Sequence, residues 1–374
     1  MSLILGGGAR VALVCLAMVP GVPEAQGTRW QLRETLRIGG AESGPASFSA
    51  IRAMDVDPKG RILVFERTTQ DIRMFGPDGR LVRTIGRSGA GPGEMKNAEG
   101  MIIGQGGRIW VRDAANARFT IFGPDGDYEA SWTMRFCWSQ GLWAPQVDRQ
   151  GRILDYDCIV GGDARPYPQA ILAYRGDRSG VDTLFRQPDC GTRALSEAGI
   201  WVRQSGRSTM YVSVPFAPFP VAAIGPSGET WCAPNSTRYE LMRFGAGAKD
   251  TIRVSRNVPR VPITKAQRDS IIASYEAKGP TGFDYGRIPD SKPAISRITI
   301  DGEGRPWVRR TDATGAVLWD VFSATGQFLA TAELPPGARA PAAAPWVVRG
   351  RTVYTVLLDE DDVPYVVRLQ GDGR

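Results

Sequence analysis

"MFGPDGRL" (residues 74–81) and "IFGPDGDY" (121–128) share the core Phe-Gly-Pro-Asp-Gly, with Phe75 and Phe122 placed 47 residues apart. The same offset carries Arg61-Ile62 onto Arg108-Ile109, Met54 onto Met101, and Gly44-Pro45 onto Gly91-Pro92. Self-similarity at a period of about 45 residues is the mark of a repeat architecture. Within the core, Pro presets a turn angle, Asp bonds nearby turn backbone, and Gly supplies a left-handed residue. The motif therefore reads as a tight turn joining two short strands, and it should recur wherever the unit recurs.

The second strand of the unit is the easiest to follow. It reads "RILVFE" (61–66), "RIWVRD" (108–113), "RILDYD" (152–157), "ETWCAP" (229–234), "RPWVRR" (305–310) and "RTVYTV" (351–356). Third strands follow at "QAILAY" (169–174), "YELMRF" (239–244), "AVLWDVF" (316–322) and "PYVVRL" (364–369). Four short strands per unit is the spacing of a propeller blade. The last unit runs out of chain before its outer strand. "RETLRIGG" (33–40) has the pattern of such a strand with no blade of its own, since Ile38-Gly39 fall on Ile85-Gly86. The expected fold is all-β: one six-bladed propeller of four-stranded antiparallel blades over 28–374. Residues about 30–38 close its last blade, and closure leaves no unpaired sheet edge.

Residues 1–27 stand apart from the repeat. Arg10 precedes an apolar run, Val11 to Val19, and Ala25-Gln26-Gly27 follows as a small-x-small pattern. This reads as a secretory signal peptide cleaved near Gly27. The run is shorter than the roughly 20 apolar residues that a membrane span needs. The mature chain is expected to be exported, periplasmic or extracellular, with no transmembrane segment. Its four cysteines, Cys137, Cys158, Cys190 and Cys232, then suggest two disulfides. Cys137–Cys158 and Cys190–Cys232 is the expected pairing, although Cys232 also sits where Val64 and Val111 sit in their strands.

The chain carries 46 basic and 39 acidic residues, and only six of the basic ones are Lys. The arginines are scattered singly, often at strand starts such as Arg61, Arg108, Arg152, Arg305 and Arg351. No like-charge run marks a nucleic-acid site, and nucleic acid is not expected as a partner. The chain contains no histidine. Ser-His-Asp and Cys-His catalysis and His-ligated zinc are therefore excluded.

At "RIWVRDAANARFTIFGPDG" (108–126) the sequence resembles the NHL-type propeller repeat, through Asp113, Asn116, Arg118, Phe122 and Gly126. "IGRSGAGPGEM" (85–95) resembles the glycine-rich link between blades of that group, and lacks the Lys-Ser/Thr of a phosphate loop. "VPFAPFP" (214–220) and "SRITIDGEGRPWVRR" (296–310) resemble a set of exported bacterial six-bladed propellers. The resemblance implies the fold and leaves the activity open, because propellers serve as binding, enzymatic and scaffolding proteins. Histidine-dependent activities of related propellers do not carry over to this chain.

Two functions are weighed. The leading one is an exported, non-catalytic binding or scaffold propeller without a cofactor. The alternative is an extracytoplasmic metal-assisted hydrolase of the lactonase or gluconolactonase type. There, calcium, which takes about six to eight oxygen ligands, would draw on Glu66, Asp113, Asp155, Asp157, Asp312 or the Asp359–Asp362 run. Against this, Asp and Asn at strand ends commonly bond their own turns. "NST" (235–237) is a formal glycosylation sequon whose ordinary reading is such a turn.

Loop lengths assign the working face. Short turns such as "DPKG" (57–60) and "DRQG" (148–151) share one face, while the long segments 86–98, 133–143, 185–219 and 256–295 share the other. The insertion 256–295 contains one helix near 264–277, opened by the Thr264/Gln267 capping-box pattern. The long-loop face gathers Arg67, Asp71, Arg112, Asp113, Asn116, Arg309, Arg310 and Asp312, with Trp138, Trp143 and Phe219 nearby. These residues are the expected binding set, for a protein partner or an anionic or carbohydrate-like envelope ligand.

Overall fold

The computed structural model describes residues 28–40, 44–134, 145–158, 169–186, 199–205, 208–245, 251–278 and 282–372. Residues 1–27, together with Cys137, Trp138, Trp143 and Cys190, lie outside them. The described residues form antiparallel sheets and a single α-helix. The first sheet is Ile51–Val56, Ile62–Glu66, Asp71–Phe75 and Leu81–Ile85. The second is Gly100–Ile103, Ile109–Asp113, Arg118–Phe122 and Tyr128–Thr133. The third runs from Gln146–Val147 to Val181–Arg186 and the fourth from Val221–Ile224 to Thr251–Ser255.

Eight further strands join in one sheet. One half is Arg297–Ile300, Pro306–Thr311, Val317–Phe322 and Phe328–Glu333. The other is Trp346–Arg349, Thr352–Leu358 and Pro364–Gly371. Between the halves lies Thr28–Ile38. Its first residues run parallel to Ala330–Glu333, and Leu32 to Ile38 pair antiparallel with Gly371 to Val366.

The innermost strands of all these sheets converge on one channel of about 340 Å³, lined by Met54, Ile102, Val147, Ile224, Ile300 and Val348 among others. The arrangement is propeller-like. The apolar core is correspondingly divided, with a cluster wherever two sheets face each other. Leu63, Phe65 and Met74 meet Met101, Val111 and Phe122. Trp110, Phe119 and Ile121 meet Ile153 and Tyr174. Trp231 and Leu241 meet Ile298, Val308 and Phe322. Second strands are therefore covered on both faces, and Ile62–Glu66 and Ile109–Asp113 are buried at every residue. That explains their nearly continuous apolar reading.

The repeated Phe-Gly-Pro-Asp-Gly motif has a structural reason. Gly79 N–H donates to Gly76 C=O and Gly76 N–H to Arg80 C=O, and Gly126 and Gly123 repeat the pattern. Gly79 and Gly126 both have positive φ, 83° and 93°. A Cβ on Gly126 would lie 2.6 Å from Ile85 of the preceding sheet. Glycine here serves both the turn and the sheet-to-sheet packing.

A second recurrent device is Asp-x-x-Gly-Arg. The carboxylates of Asp57, Asp148 and Asp301 each accept two backbone N–H bonds inside their own turn. Each also accepts from the Nε of the Arg that ends the turn, Arg61 at 2.6 Å and Arg152 and Arg305 at 2.7 Å. Much of the scattered arginine is thus consumed by turns. Cys232 is fully buried and disulfide-bonded.

Removing Thr28–Ile38 would strip Pro364–Gly371 of its partner and expose the sites that bury Leu32 and Ile38. At about 1.5–3 kcal/mol per buried aliphatic side chain, the loss should be at least about 3 kcal/mol. Calorimetry should show the entire melting transition moving down as one. An unchanged transition would contradict this role.

Candidate functional site

The insertion folds as a cap. Its helix spans Lys265–Lys278 and opens with a reciprocal capping box. Thr264 N–H donates to Gln267 Oε1 and Gln267 N–H to Thr264 Oγ1, both at 3.2 Å. The helix packs on a hairpin, Ile200–Ser205 with Ser208–Ser213, that belongs to none of the large sheets. Trp201 on that hairpin stacks on Phe283 at 4.7 Å and meets Tyr275 and Tyr285 edge-on. Arg268 donates to the carbonyls of Ile288 and Pro289 and so ties the helix to the chain that follows it. The cap has its own small core, built on Trp201, Val214, Ala217, Ile263 and Ile288.

Between cap and sheets lies a cleft of about 780 Å³. The helix contributes Ala266, Gln267, Ser270 and Ile271 to its wall, and the chain leading into the fourth sheet contributes Phe216, Phe219 and Val221. Ser236, Lys292, Ser296, Arg309 and Thr311 add polar groups, and among the described residues no acidic one lines it. Ser236 fixes two walls: its Oγ accepts from Phe219 N–H and its carbonyl from Ile295 N–H, both at 3.1 Å.

Phe216 is conformationally unusual. It has φ of 57° in the turn closed by Ala217 N–H to Val214 C=O. With Pro215 before it, this is the position of a type II turn that normally takes Gly or Asn. A bulky residue there carries strain of about 1–3 kcal/mol, and such strain clusters at ligand sites.

Arg309 is the buried charge of the cleft, 8% exposed. Its guanidinium donates to Ala340 C=O at 3.1 Å and Ala342 C=O at 3.5 Å. Arg297 stands beside it in cross-strand register and donates to Ala344 C=O. Burial lowers the pKa of Arg309. Burial, and then the neighbouring Arg309 charge, push Arg297 down to about 10.

The sequence-predicted residues divide into groups. Arg309 lines the main cleft, while Arg310 and Asp312 line an adjoining one of about 380 Å³ that shares Lys292 and Thr311 with it. Arg67 and Asp71 belong to the first sheet, where Arg67 is exposed and Asp71 pairs with Arg73. Arg112, Asp113 and Asn116 do not join the cleft, and the expectation that they face a ligand gives way to internal roles.

Arg112 is 1% exposed and held at 2.8 Å by both Asp155 and Asp157 of the next sheet. Glu99 lies 2.9 Å from its Nε, an ion pair without hydrogen-bond alignment. Burial raises the pKa of Glu99 more than the nearby arginines lower it. Asp113, fully buried, accepts from Lys96 N–H, Asn116 Nδ2, Arg118 Nε and Thr120 Oγ1. The Asp-Asn-Arg signature of the repeat is therefore an internal clamp. Asn235 likewise accepts from Thr237 N–H and Oγ1, as a turn. Among the described residues, no three acidic or cysteine side chains gather to hold a metal ion.

Residues 48–150 match a family model described as a 6-bladed beta-propeller. The fold is a β-propeller. Solved structures agree with it along nearly the full length. A protein from Bacteroides fragilis described as exported matches at TM-score 0.52 and 12% identity, over 92% of this chain and 96% of its own. A member of the duf4221 family from Bacteroides vulgatus matches at TM-score 0.54 and 9% identity, over 93% and 100%. At such identities the likeness concerns the fold alone. Among curated proteins none matches. No helix among the described residues is long and apolar enough to cross a membrane.

Sequence reasoning missed the hairpin at 200–213 and the cleft residues Phe216, Ser236, Gln267 and Lys292. Of these, only Phe216 left a local signal, a Pro-aromatic turn lacking glycine. On the propeller's sheets, Arg112→Ala should cost about 3–5 kcal/mol, because it strands buried carboxylates. Glu99→Gln should cost less than Arg112→Ala, because burial already works against the Glu99 carboxylate. Urea unfolding measures both, and an Arg112→Ala protein of wild-type stability would contradict the clamp.

Proposed function

We propose that the protein is an exported, non-catalytic binding propeller that takes its ligand in the cleft between the cap and the ring. The ring has six blades, with residues 30–38 completing the last one, and the 1–27 leader is removed near Gly27. Its four remaining cysteines form two disulfides, Cys137–Cys158 and Cys190–Cys232. The blade count is supported by the six second-strand segments and the leader by its composition. The disulfides are supported in part by the bonded state of Cys232.

The observation that carries the binding reading is the cleft itself: about 780 Å³, with two phenylalanines, hydroxyls, an amide and two cations on its wall. Apolar walls with a few placed polar groups are the usual make-up of a small-molecule site. The strained turn at Phe216 adds to it, because it holds a ring that packs on the cap core and also lines the cleft. Long loops on a rigid ring supply the walls, as binding sites on scaffolds commonly do.

The test is a thermal-shift screen with a panel of carboxylates, phosphates, sulfonates and sugars, followed by mass spectrometry of each hit. A true ligand should raise the melting temperature, be recovered unchanged, and lose its effect in Ala266→Trp, which fills the cleft from an exposed helix position. Consumption of the hit, or full stabilisation of Ala266→Trp, would overturn the proposal.

A further inference from the structure

Arg309, buried, and Arg297, half-buried, lie side by side in cross-strand register on the adjacent strands Pro306–Thr311 and Arg297–Ile300. Arg309 opens into the cleft and Arg297 into the central channel. Elsewhere in the ring, buried guanidiniums meet carboxylates. Arg112 has Asp155 and Asp157, Arg118 has Asp113, and Arg310 has Asp320. Arg309 and Arg297 form no ion pair with a carboxylate among the described residues, and their bonds go to carbonyl oxygens of Ala340, Ala342 and Ala344. A guanidinium has five N–H donors and cannot shed its charge, so a desolvated one without a counter-ion is costly. Two side by side cost more.

Resting on the binding reading above, we infer that the cleft is built for a small organic acid. Its oxyanion sits on Arg309, with Lys292 and Ser296 beside it. Its apolar or aromatic body lies against Phe216, Phe219 and Ile271. Three features converge on this class. Among the described residues the cleft holds two cations and no acid. Its buried cation keeps donors unused by the two carbonyls. The rest of the wall is aromatic and aliphatic, which a bare inorganic anion would leave unsatisfied. Arg297, beside Arg309 on the same face of the sheet, adds positive charge near the site. The same charge excess selects against cations and leaves neutral apolar molecules with only the aromatic wall.

The probes are 8-anilinonaphthalene-1-sulfonate and its uncharged relative N-phenyl-1-naphthylamine, titrated by fluorescence into the folded full-length protein. Both should bind at one site and both should be lost in Ala266→Trp. Arg309→Gln should weaken the sulfonate tenfold or more and leave the neutral probe unchanged. It should melt cooperatively at no lower temperature than wild type, because a buried charge has been removed. Arg309→Lys should keep most of the sulfonate affinity. Benzoate should displace the sulfonate at far lower concentration than inorganic phosphate. Unchanged sulfonate affinity in Arg309→Gln would overturn the acid assignment and leave the cleft reading standing. Phosphate competing as well as benzoate would overturn the organic body. Probe binding indifferent to Ala266→Trp would remove the cleft reading, and the inference with it.

Discussion

Antiparallel hydrogen bonding between Leu32–Ile38 and Val366–Gly371 joins the first described strand to the last, and the rest of the structure depends on that join. Each sheet buries its second strand only because another sheet lies on either side of it. A ring meets this condition for every sheet, whereas an open array leaves two outer faces and two ladders of backbone groups exposed. Ile38 enters a shared cluster with Phe48, Met54 and Ile62 of the first sheet and with Tyr354, Val356 and Val366 near the chain end. Leu32 does the same for the preceding gap, beside the Trp319–Trp346 stack at 4.1 Å. The N-terminal strand therefore seals two intersheet cores at once.

The propeller-like sheets form the floor on which the cap rests. The hairpin at 200–213 and the helix at 265–278 are far apart in sequence and meet through Trp201, Tyr275 and Phe283. Neither is large enough to bury a core alone. The helix borders the sheets across the cleft. The cleft is a by-product of two insertions docking on each other above that floor.

How much of this was legible in the sequence follows from the range of each interaction. The Phe-Gly-Pro-Asp-Gly turns, the second strands and the Thr264/Gln267 capping box are local, and their signals sit within a few residues. Arg309 was expected on the long-loop rim because it follows a repeat strand there, and it lines the cleft. Arg112 holds the equivalent repeat position but turns inward, to Asp155 and Asp157 some forty residues on. The two arginines differ only in whether the neighbouring sheet supplies acids, and no local pattern carries that information. Hairpin, cleft and Lys292 were illegible for the same reason, being products of contacts between distant segments.

The charge pattern then gains a meaning that composition could not give. Most buried arginine in this ring is structural, matched to a turn or cross-sheet carboxylate. Arg309 and Arg297 are matched among the described residues only by carbonyls, and Arg309 lines the cleft beside the helix. The most direct measurement is anomalous diffraction from crystals of the mature protein soaked in 4-iodobenzoate. The account predicts an iodine peak between Phe216, Phe219 and Ile271, with the carboxylate on the Arg309 guanidinium. An iodine peak elsewhere on the ring with the cleft empty, or a carboxylate turned away from Arg309 within it, would contradict the account.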